Sequence, residues 1–203
     1  MQSTISYRGI WIPWSEDNPN RRAAHEQILR TAVHTSGADM ASAYRVASRY
    51  DHSIVFGLGD DKTSTPVSPR SIPPGSPIFV DSQTATEMAM AVSAVRHGVV
   101  AVLAGDMLDL SGWAKAVKAT NALTGQTEDP VSPEVHDMLD RIATLGSTDF
   151  RDRSNESVRA SVPRLTDEIR SAGYTTDFIV SYLYAYGLDP ENERKLRKLI
   201  AER

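Results

Sequence analysis

The sequence predicts an α/β fold: a small, mostly parallel sheet of three to four strands with flanking helices, followed by a C-terminal three-helix module. The strongest evidence is the segment from Pro77 to Leu110. A short apolar run there is followed by a helical pattern and then by an unbroken β-branched run, which is typical of a βαβ unit. A second observation is that no strand-like run follows Gly125. The remainder of the chain should therefore be helical.

The central unit carries its own start and stop signals. Thr84 and Glu87 have the spacing of a capping box, in which a hydroxyl and a carboxylate satisfy the first free N–H groups of a helix. Gly98 is expected to end that helix. The connection is long enough to carry one helix, so the strands at Ile78 to Val80 and Val99 to Ala104 should run parallel.

The N-terminal apolar segment, Gly9 to Trp14, alternates around Pro13. A proline cannot donate to a strand ladder, so this segment suits an edge strand or an extended arm better than a central strand. Large aromatic side chains near a terminus usually pack over the core. Trp11 and Trp14 are therefore expected to close over the core, with a binding surface as the alternative.

Between this segment and the central unit, the pattern predicts two helices, a strand and a loop. The helices should run from Arg21 to about Gly37 and, capped by Asp39, to about Tyr50. Ser53 to Leu58 reads as a buried strand. Gly59 to Ser76 is irregular and contains four prolines. A loop of this length is either a lid or binding loop, or a solvated segment.

Several aspartates are expected at the carboxyl ends of strands. Asp60 and Asp61 follow the predicted Ser53 strand, Asp81 ends the Ile78 strand, and Asp106 follows the Val99 strand. Converging carboxylates at this edge of a parallel sheet could bind magnesium for phosphoryl transfer, with Lys62 or Arg70 neutralising a phosphate. The alternative is that these acids cap helices, as Asp109 or Ser111 could for a helix containing Trp113, Val117 and Leu123.

The C-terminal part divides into an α/β domain at 1–146, a linker at 147–157 and a helical module at 158–203. Ser132, Pro133 and Glu134 begin a helix that should end at Gly146. Three short helices should follow: one ends near Gly173, one starts at Thr175, and one starts at Asp189. The linker is polar and charged, which is typical of a domain boundary.

The helix from Thr175 is apolar nearly all round, so it must be buried within the module, against the main domain or in a partner. The candidate partner-binding residues are Phe178, Tyr182, Leu183, Tyr186, Arg194 and Arg197. The last helix is basic in its second half, which the helix dipole alone favours. A protein partner is therefore preferred over DNA, although nucleic acid remains possible.

Composition restricts the functional classes. The 203 residues carry a net charge of -4, with 40% hydrophobic and 24% charged residues and no cysteine. We expect a cytoplasmic protein that has no membrane span, disulfide or thiolate-bound metal. Arginine outnumbers lysine and alanine is abundant, which suggests a bacterial or phage origin.

No complete catalytic constellation is recognisable in the sequence. There is no phosphate-binding glycine motif, no nucleophile elbow and no metal-binding pair of histidines on one helix face. The preferred hypothesis is a non-enzymatic protein, without a cofactor, that acts by oligomerising or by binding a macromolecular partner. The alternative is a magnesium-dependent nuclease or phosphatase.

Overall fold

The computed structural model of the chain describes residues 4–15, 22–46, 63–64, 72–82, 84–95, 97–146, 150 and 156–201. These residues form a six-stranded sheet in which every paired strand is parallel to its neighbour. The strands are β1 (Arg8–Ile12), β2 (Tyr44–Val46), β3 (Thr63–Ser64), β4 (Ile78–Ser82), β5 (Val99–Ala104) and β6 (Thr120–Asn121). Their order is β3-β2-β4-β5-β1-β6. The α/β class and the parallel sheet are confirmed. The sheet has more strands than expected because it includes two strands, β3 and β6, that are only two residues long.

Seven α-helices surround or follow the sheet in the described part of the chain. They are α1 (Arg22–Thr35), α2 (Ala85–Ala94), α3 (Ser111–Ala116), α4 (Pro133–Gly146), α5 (Glu156–Ser171), α6 (Thr176–Tyr184) and α7 (Pro190–Ala201). The helical C-terminal module is confirmed. None of the helices described here has both the length and the apolar character needed to cross a membrane.

The predicted βαβ unit is present as β4, α2 and β5. β4 pairs with β5 in parallel, with Ile78 opposite Val100. The capping box of α2 is also present. The Glu87 backbone N–H donates to Thr84 Oγ1 at 3.4 Å, and the Thr84 N–H donates to Glu87 Oε2 at 2.9 Å. Local signals were therefore sufficient to predict this unit.

The expectation of an edge strand at Gly9 to Trp14 was wrong. β1 lies inside the sheet, between β5 and β6, and pairs with both. The reason is the position of Pro13, which follows the last strand residue and so removes no ladder hydrogen bond. Trp11 is buried in the core as expected, but Trp14 is 44% exposed, so its predicted packing over the core was wrong.

The expected second helix, from Asp39 to about Tyr50, was also wrong. Asp39 caps only a 3₁₀ turn, Met40–Ser42, by accepting the Ala41 N–H at 2.9 Å. The chain then enters β2, because pairing with β4 outweighs the helical spacing of the local apolar residues. Residues 47–50 and the predicted Ser53 to Leu58 strand lie outside the described residues.

Two further segments join the sheet where no strand was expected. Thr63–Ser64, within the irregular Gly59 to Ser76 segment, forms β3 beside β2. The helix expected to reach Leu123 ends at Ala116, and Thr120–Asn121 forms β6 beside β1. Lys118 adopts a left-handed conformation with φ 50°, which ends the helical path before β6.

The helices cover the two sheet faces unequally. α1 packs on one face, where Leu29 and Val33 share a hydrophobic cluster with Phe79 and Leu103. Helices α2 to α7 contribute to a larger cluster on the opposite face. In that cluster α6 packs closely on α3 at Gly112, where a Cβ would lie 2.1 Å from the Phe178 carbonyl oxygen. The boundaries of the two-domain division stay a prediction.

Candidate functional site

The first candidate site lies where β1 and β5 end side by side. The connection that leaves β1 runs through α1 on one sheet face, whereas the one that leaves β5 runs through α3 on the other. Ligands of open α/β sheets bind at such a switch in direction, outside the carboxyl ends of the strands. A cavity of about 320 Å³ occupies this position, and it is lined by Trp11, Pro13, Trp14, Ala104, Gly105, Asp106, Leu108, Asp109, Leu110 and Ser111.

A second cavity, of about 270 Å³, adjoins the first and shares Asp106, Leu108 and Asp109 with it. Its other lining residues are Met107 and three residues of the C-terminal helices, Asp177, Tyr184 and Arg197. We call the two cavities together the carboxyl-edge crevice. The α/β part of the chain therefore forms one wall of the crevice and α6 and α7 form the other.

Polar contacts fix the helical wall of the crevice. Arg197 Nη1 donates to Asp177 Oδ1 at 2.7 Å, and its Nε donates to Glu193 Oε1 at 2.8 Å. Burial lowers the pKa of Arg197, but its bonds with Glu193 and Asp177 outweigh this and raise it. The Tyr184 hydroxyl donates to Glu193 Oε2 at 2.7 Å. Burial and this bond both raise the tyrosine's pKa.

The crevice carries excess negative charge. Asp106, Asp109 and Asp177 line it, and Arg197 is the one basic side chain among its described lining residues. Because Arg197 is already bonded to two carboxylates, it does not neutralise the opposite wall. Asp109 accepts the Ser111 N–H at 2.8 Å in the turn before α3. The prediction that Asp109 or Ser111 is the cap was wrong, since the N-cap residue of α3 is Leu110 and no side chain caps the helix.

Apolar side chains frame the mouth of the crevice. Trp14 is 44% exposed and Met107 is 77% exposed. Trp11 lies beneath them, buried, and its indole N–H has no acceptor among the described residues. The crevice thus combines an aromatic surface with carboxylates, a lining suited to a ligand that has an apolar part and a positive charge.

The second candidate site is an apolar groove of about 670 Å³ on the α1 face, between α1 and β6. The lining residues are Ile10, Ala24, Gln27, Ile28, Thr31, Ala32, Thr35, Ser36, Thr120, Asn121, Ala122 and Gly125. The next helix after β6 is α4, which packs on the opposite sheet face. Among the described residues, no second helix covers this face beside β1 and β6, where a layered α/β fold normally places one. We call this site the α1 groove.

Three of the four exposed large apolar side chains in the part of the chain described here line one of the two sites. Trp14 and Met107 line the crevice and Ile28 lines the groove, while Leu123 follows the groove-lining residue Ala122. Ile28 is on the helical wall and is 37% exposed. Leu123 lies in the turn after Ala122, next to the opposite wall, and is 47% exposed. Clustered rather than scattered apolar exposure is typical of interaction sites.

The predicted partner-binding residues divide into two groups. Phe178, Tyr182, Leu183 and Tyr186 are buried within the chain itself, because α6 packs against the α/β part. The Tyr182 hydroxyl also lies 2.8 Å from His136 Nδ1 on α4. Arg194 is exposed on α7 and Arg197 forms part of the crevice. Partner contact through these two arginines stays a prediction.

Two of the four predicted metal ligands, Asp81 and Asp106, lie among the described residues. β4 and β5 are neighbours. Asp81, near the end of β4, and Asp106, just after β5, therefore lie at the ends of adjacent strands as expected. Asp81 is buried and shares the α1 face with its register partner Leu103, whereas Asp106 is exposed in the crevice. Asp60, Asp61, Lys62 and Arg70 lie outside the described residues. Within the described ranges, no three His, Cys, Asp or Glu side chains form a group that could hold a metal ion.

Comparison with protein-family models, curated proteins and solved structures finds no match for this chain. The function must therefore be argued from the two sites themselves. Sequence reasoning missed Met107 and Tyr184 as site residues, and it gave a binding surface at Trp14 only as the alternative. Placing β1 inside the sheet would have brought Trp14 to the crevice, but nothing local in the sequence indicated this placement.

Proposed function

We propose that the protein is non-enzymatic and acts by self-association through the α1 groove. The observation that carries the proposal is the apolar sheet face between α1 and β6, which the part of the chain described by the structure leaves uncovered. Apolar surface removed from water contributes roughly 25 cal/mol per Å² to association. A groove that lacks its covering helix is therefore a favourable place for a second chain to pack.

A second copy is favoured because Ile28 lies on one wall of the groove and the exposed Leu123 directly follows Ala122, which lines the other. In a two-fold interface, residue i of one copy contacts residue j of the other and the reverse contact also forms. With the two-fold axis along the groove, Ile28 of each protomer faces Leu123 of the other. Both side chains are exposed in the single chain, so one symmetric contact covers both of them.

The test is the molar mass in solution, measured by light scattering over a range of concentrations. We expect a concentration-dependent dimer that Ile28→Lys weakens at least about tenfold, because a buried ammonium without a partner opposes association. The matched control is His34→Lys, on the same helix but outside the groove lining. A monomer at all concentrations, or equal weakening by both variants, contradicts the proposal.

The second candidate function is magnesium-dependent phosphoryl transfer. The observation in its favour is that β4 and β5 are adjacent, which brings Asp81 and Asp106 to neighbouring strand ends. A cation that binds only the folded state must raise its stability. Magnesium or manganese should then raise the melting temperature of the parent protein but not that of Asp81→Asn or Asp106→Asn. No rise in the parent protein would reject this function.

A further inference from the structure

We propose that the carboxyl-edge crevice is a binding site for an organic cation. Such a ligand has an ammonium or guanidinium group attached to an apolar part that can pack against an aromatic ring. The site is separate from the α1 groove, since it lies at the strand ends and is built largely on the opposite sheet face. The inference rests on the position of the crevice, its volume, its exposed aromatic residue and its charge.

The position and volume indicate a small ligand or a single side chain. The crevice lies at the switch point between β1 and β5, where α/β sheets place their ligands. Its cavities, of about 320 and 270 Å³, lie side by side and share three lining residues. Together they fall in the range of small-molecule sites, roughly 300–1,000 Å³.

The lining selects a positive charge. Asp106 and Asp109 lie on the wall opposite Arg197, and that arginine is bonded to Asp177 and Glu193. A ligand cation that enters between the two walls meets carboxylates without displacing an existing ion pair. An anionic ligand would meet the same carboxylates and be repelled.

Trp14 distinguishes an organic cation from a metal ion. Its exposed indole lines the same cavity as Asp106 and Asp109, and an indole face attracts ammonium and guanidinium groups while packing against their carbon chains. A hard metal ion instead requires several closely grouped oxygen ligands. The buried Trp11 N–H, which has no acceptor among the described residues, favours a ligand that also carries an oxygen acceptor.

The test uses Nα-acetyl-L-argininamide, with its uncharged isostere Nα-acetyl-L-citrullinamide as the control ligand (hereafter argininamide and citrullinamide), and binding is followed by calorimetry and by tryptophan fluorescence. We expect saturable binding of argininamide that is at least about tenfold tighter than that of citrullinamide, because hydrogen bonds to charged groups are the stronger ones. Equal affinity for the two ligands, or no binding of either, overturns the proposal.

Two variants locate the bound cation. Asp106→Asn should weaken argininamide binding about tenfold, and Trp14→Ala about threefold, as expected for loss of a charge-assisted bond and of a cation–π contact. Both residues are exposed, so neither change should unfold the chain. The control Asp129→Asn removes an exposed carboxylate outside the crevice lining and should leave affinity unchanged. If Asp106→Asn and Asp129→Asn changed the argininamide affinity equally, the cation would bind outside the crevice and the proposal would be overturned.

Magnesium chloride provides the competing outcome. If Asp106 serves a metal ion, magnesium should raise the melting temperature in an Asp106-dependent manner while argininamide has no effect. That result overturns the organic-cation site in favour of the phosphoryl-transfer alternative. A rise with argininamide and none with magnesium supports the site.

Discussion

The carboxyl-edge crevice and the α1 groove differ in chemistry, yet both depend on the same strand. Ile10 of β1 faces α1 and lines the groove, whereas the next residue, Trp11, faces the other side and lines the crevice. Side chains alternate along a strand, so one strand can serve two sites of different character. The apolar groove fits a broad surface, and the acidic crevice fits a small charged group. The position of β1 inside the sheet creates both.

This difference leads to a general expectation. Changes on the face that carries α2 to α7 should affect the crevice and leave association through the groove intact. Changes to α1 should have the opposite effect. The following predictions test this separation, beginning with the largest expected effect.

The largest effect is expected from Gly112→Ala. A Cβ at this position would lie 2.1 Å from the Phe178 carbonyl oxygen and 2.6 Å from the Tyr182 amide nitrogen, so α6 must move away from α3. Overpacking against backbone should lower the free energy of unfolding by roughly 3 kcal/mol. Urea unfolding measures this loss, and argininamide binding should fall with it because α6 carries part of the crevice wall.

The control for Gly112→Ala is Ser111→Ala, one residue earlier in α3, where the hydrogen bond from the backbone Ser111 N–H to Asp109 is retained. It should change stability little. If Gly112→Ala matched Ser111→Ala in stability, the close approach of α3 and α6 would not be a constraint on the fold.

Alkaline pH should destabilise the hydrophobic cluster on the sheet face that carries α2 to α7, which contains Tyr182 and Tyr186. Burial, and then the nearby Asp140, raise the pKa of Tyr186 from 10.0 to about 12. Burial, with Tyr186 and Asp140, also raises that of Tyr182. The folded state favours the neutral phenols. Their contribution to the free energy of unfolding is therefore complete below pH 10.0 and is lost as the pH rises toward 12.

Urea midpoints measured on either side of this interval should show the loss. Tyr186→Phe should show a smaller fall between the two pH values than the parent, since phenylalanine has no proton to release. An identical fall in both proteins would exclude Tyr186 as a contributor.

A smaller effect is expected from Tyr7→Phe. The Tyr7 hydroxyl accepts the Trp113 Nε1–H at 3.1 Å and donates to the Ala185 carbonyl at 3.3 Å, which links the start of β1 to α3 and the end of α6. Its removal leaves a buried donor and a buried acceptor without this partner. We expect a loss of about 2 kcal/mol in urea unfolding.

Tyr7→Phe also tests the separation of the two sites, because Tyr7 belongs to the cluster opposite α1. The concentration dependence of the molar mass should be that of the parent protein. A weaker dimer would mean that packing on the crevice side controls the groove.

The local parts of the fold were predictable from the sequence. The capping box of α2, the proline that starts α4 and the threonine cap of α6 each act through neighbours within a few residues. The helix starts that they imply agree with the structure, whereas the predicted end of α2 at Gly98 was wrong, since the helix ends at Ala94 with Val95 as its C-cap. The buried apolar face of α6 was also predictable, but not that α3 would cover it.

The sites were less predictable because they depend on strand order. β1 and β2 acquire their places through pairing with distant strands, and local spacing misassigned both. Asp106 was identified at a strand end, but Trp14 joins it only because β1 lies next to β5. The groove likewise depends on a sheet face that no second helix covers within the described ranges, and a local sequence pattern does not reveal which part of a sheet face stays uncovered.

The smallest effect is expected from Arg197→Gln, and its sign is informative. The Arg197 side chain is 38% exposed, so losing its bonds with Asp177 and Glu193 should reduce stability by less than about 1 kcal/mol. Asp177 would then add its charge to the crevice, and argininamide should bind about twofold tighter. Arg194→Gln, on the exposed part of α7, provides the control.

Weaker binding by Arg197→Gln would instead show that this guanidinium orders the crevice wall, so that geometry rather than net charge limits the affinity. In either case the dimer should be unaffected, because α7 lies across the sheet from α1.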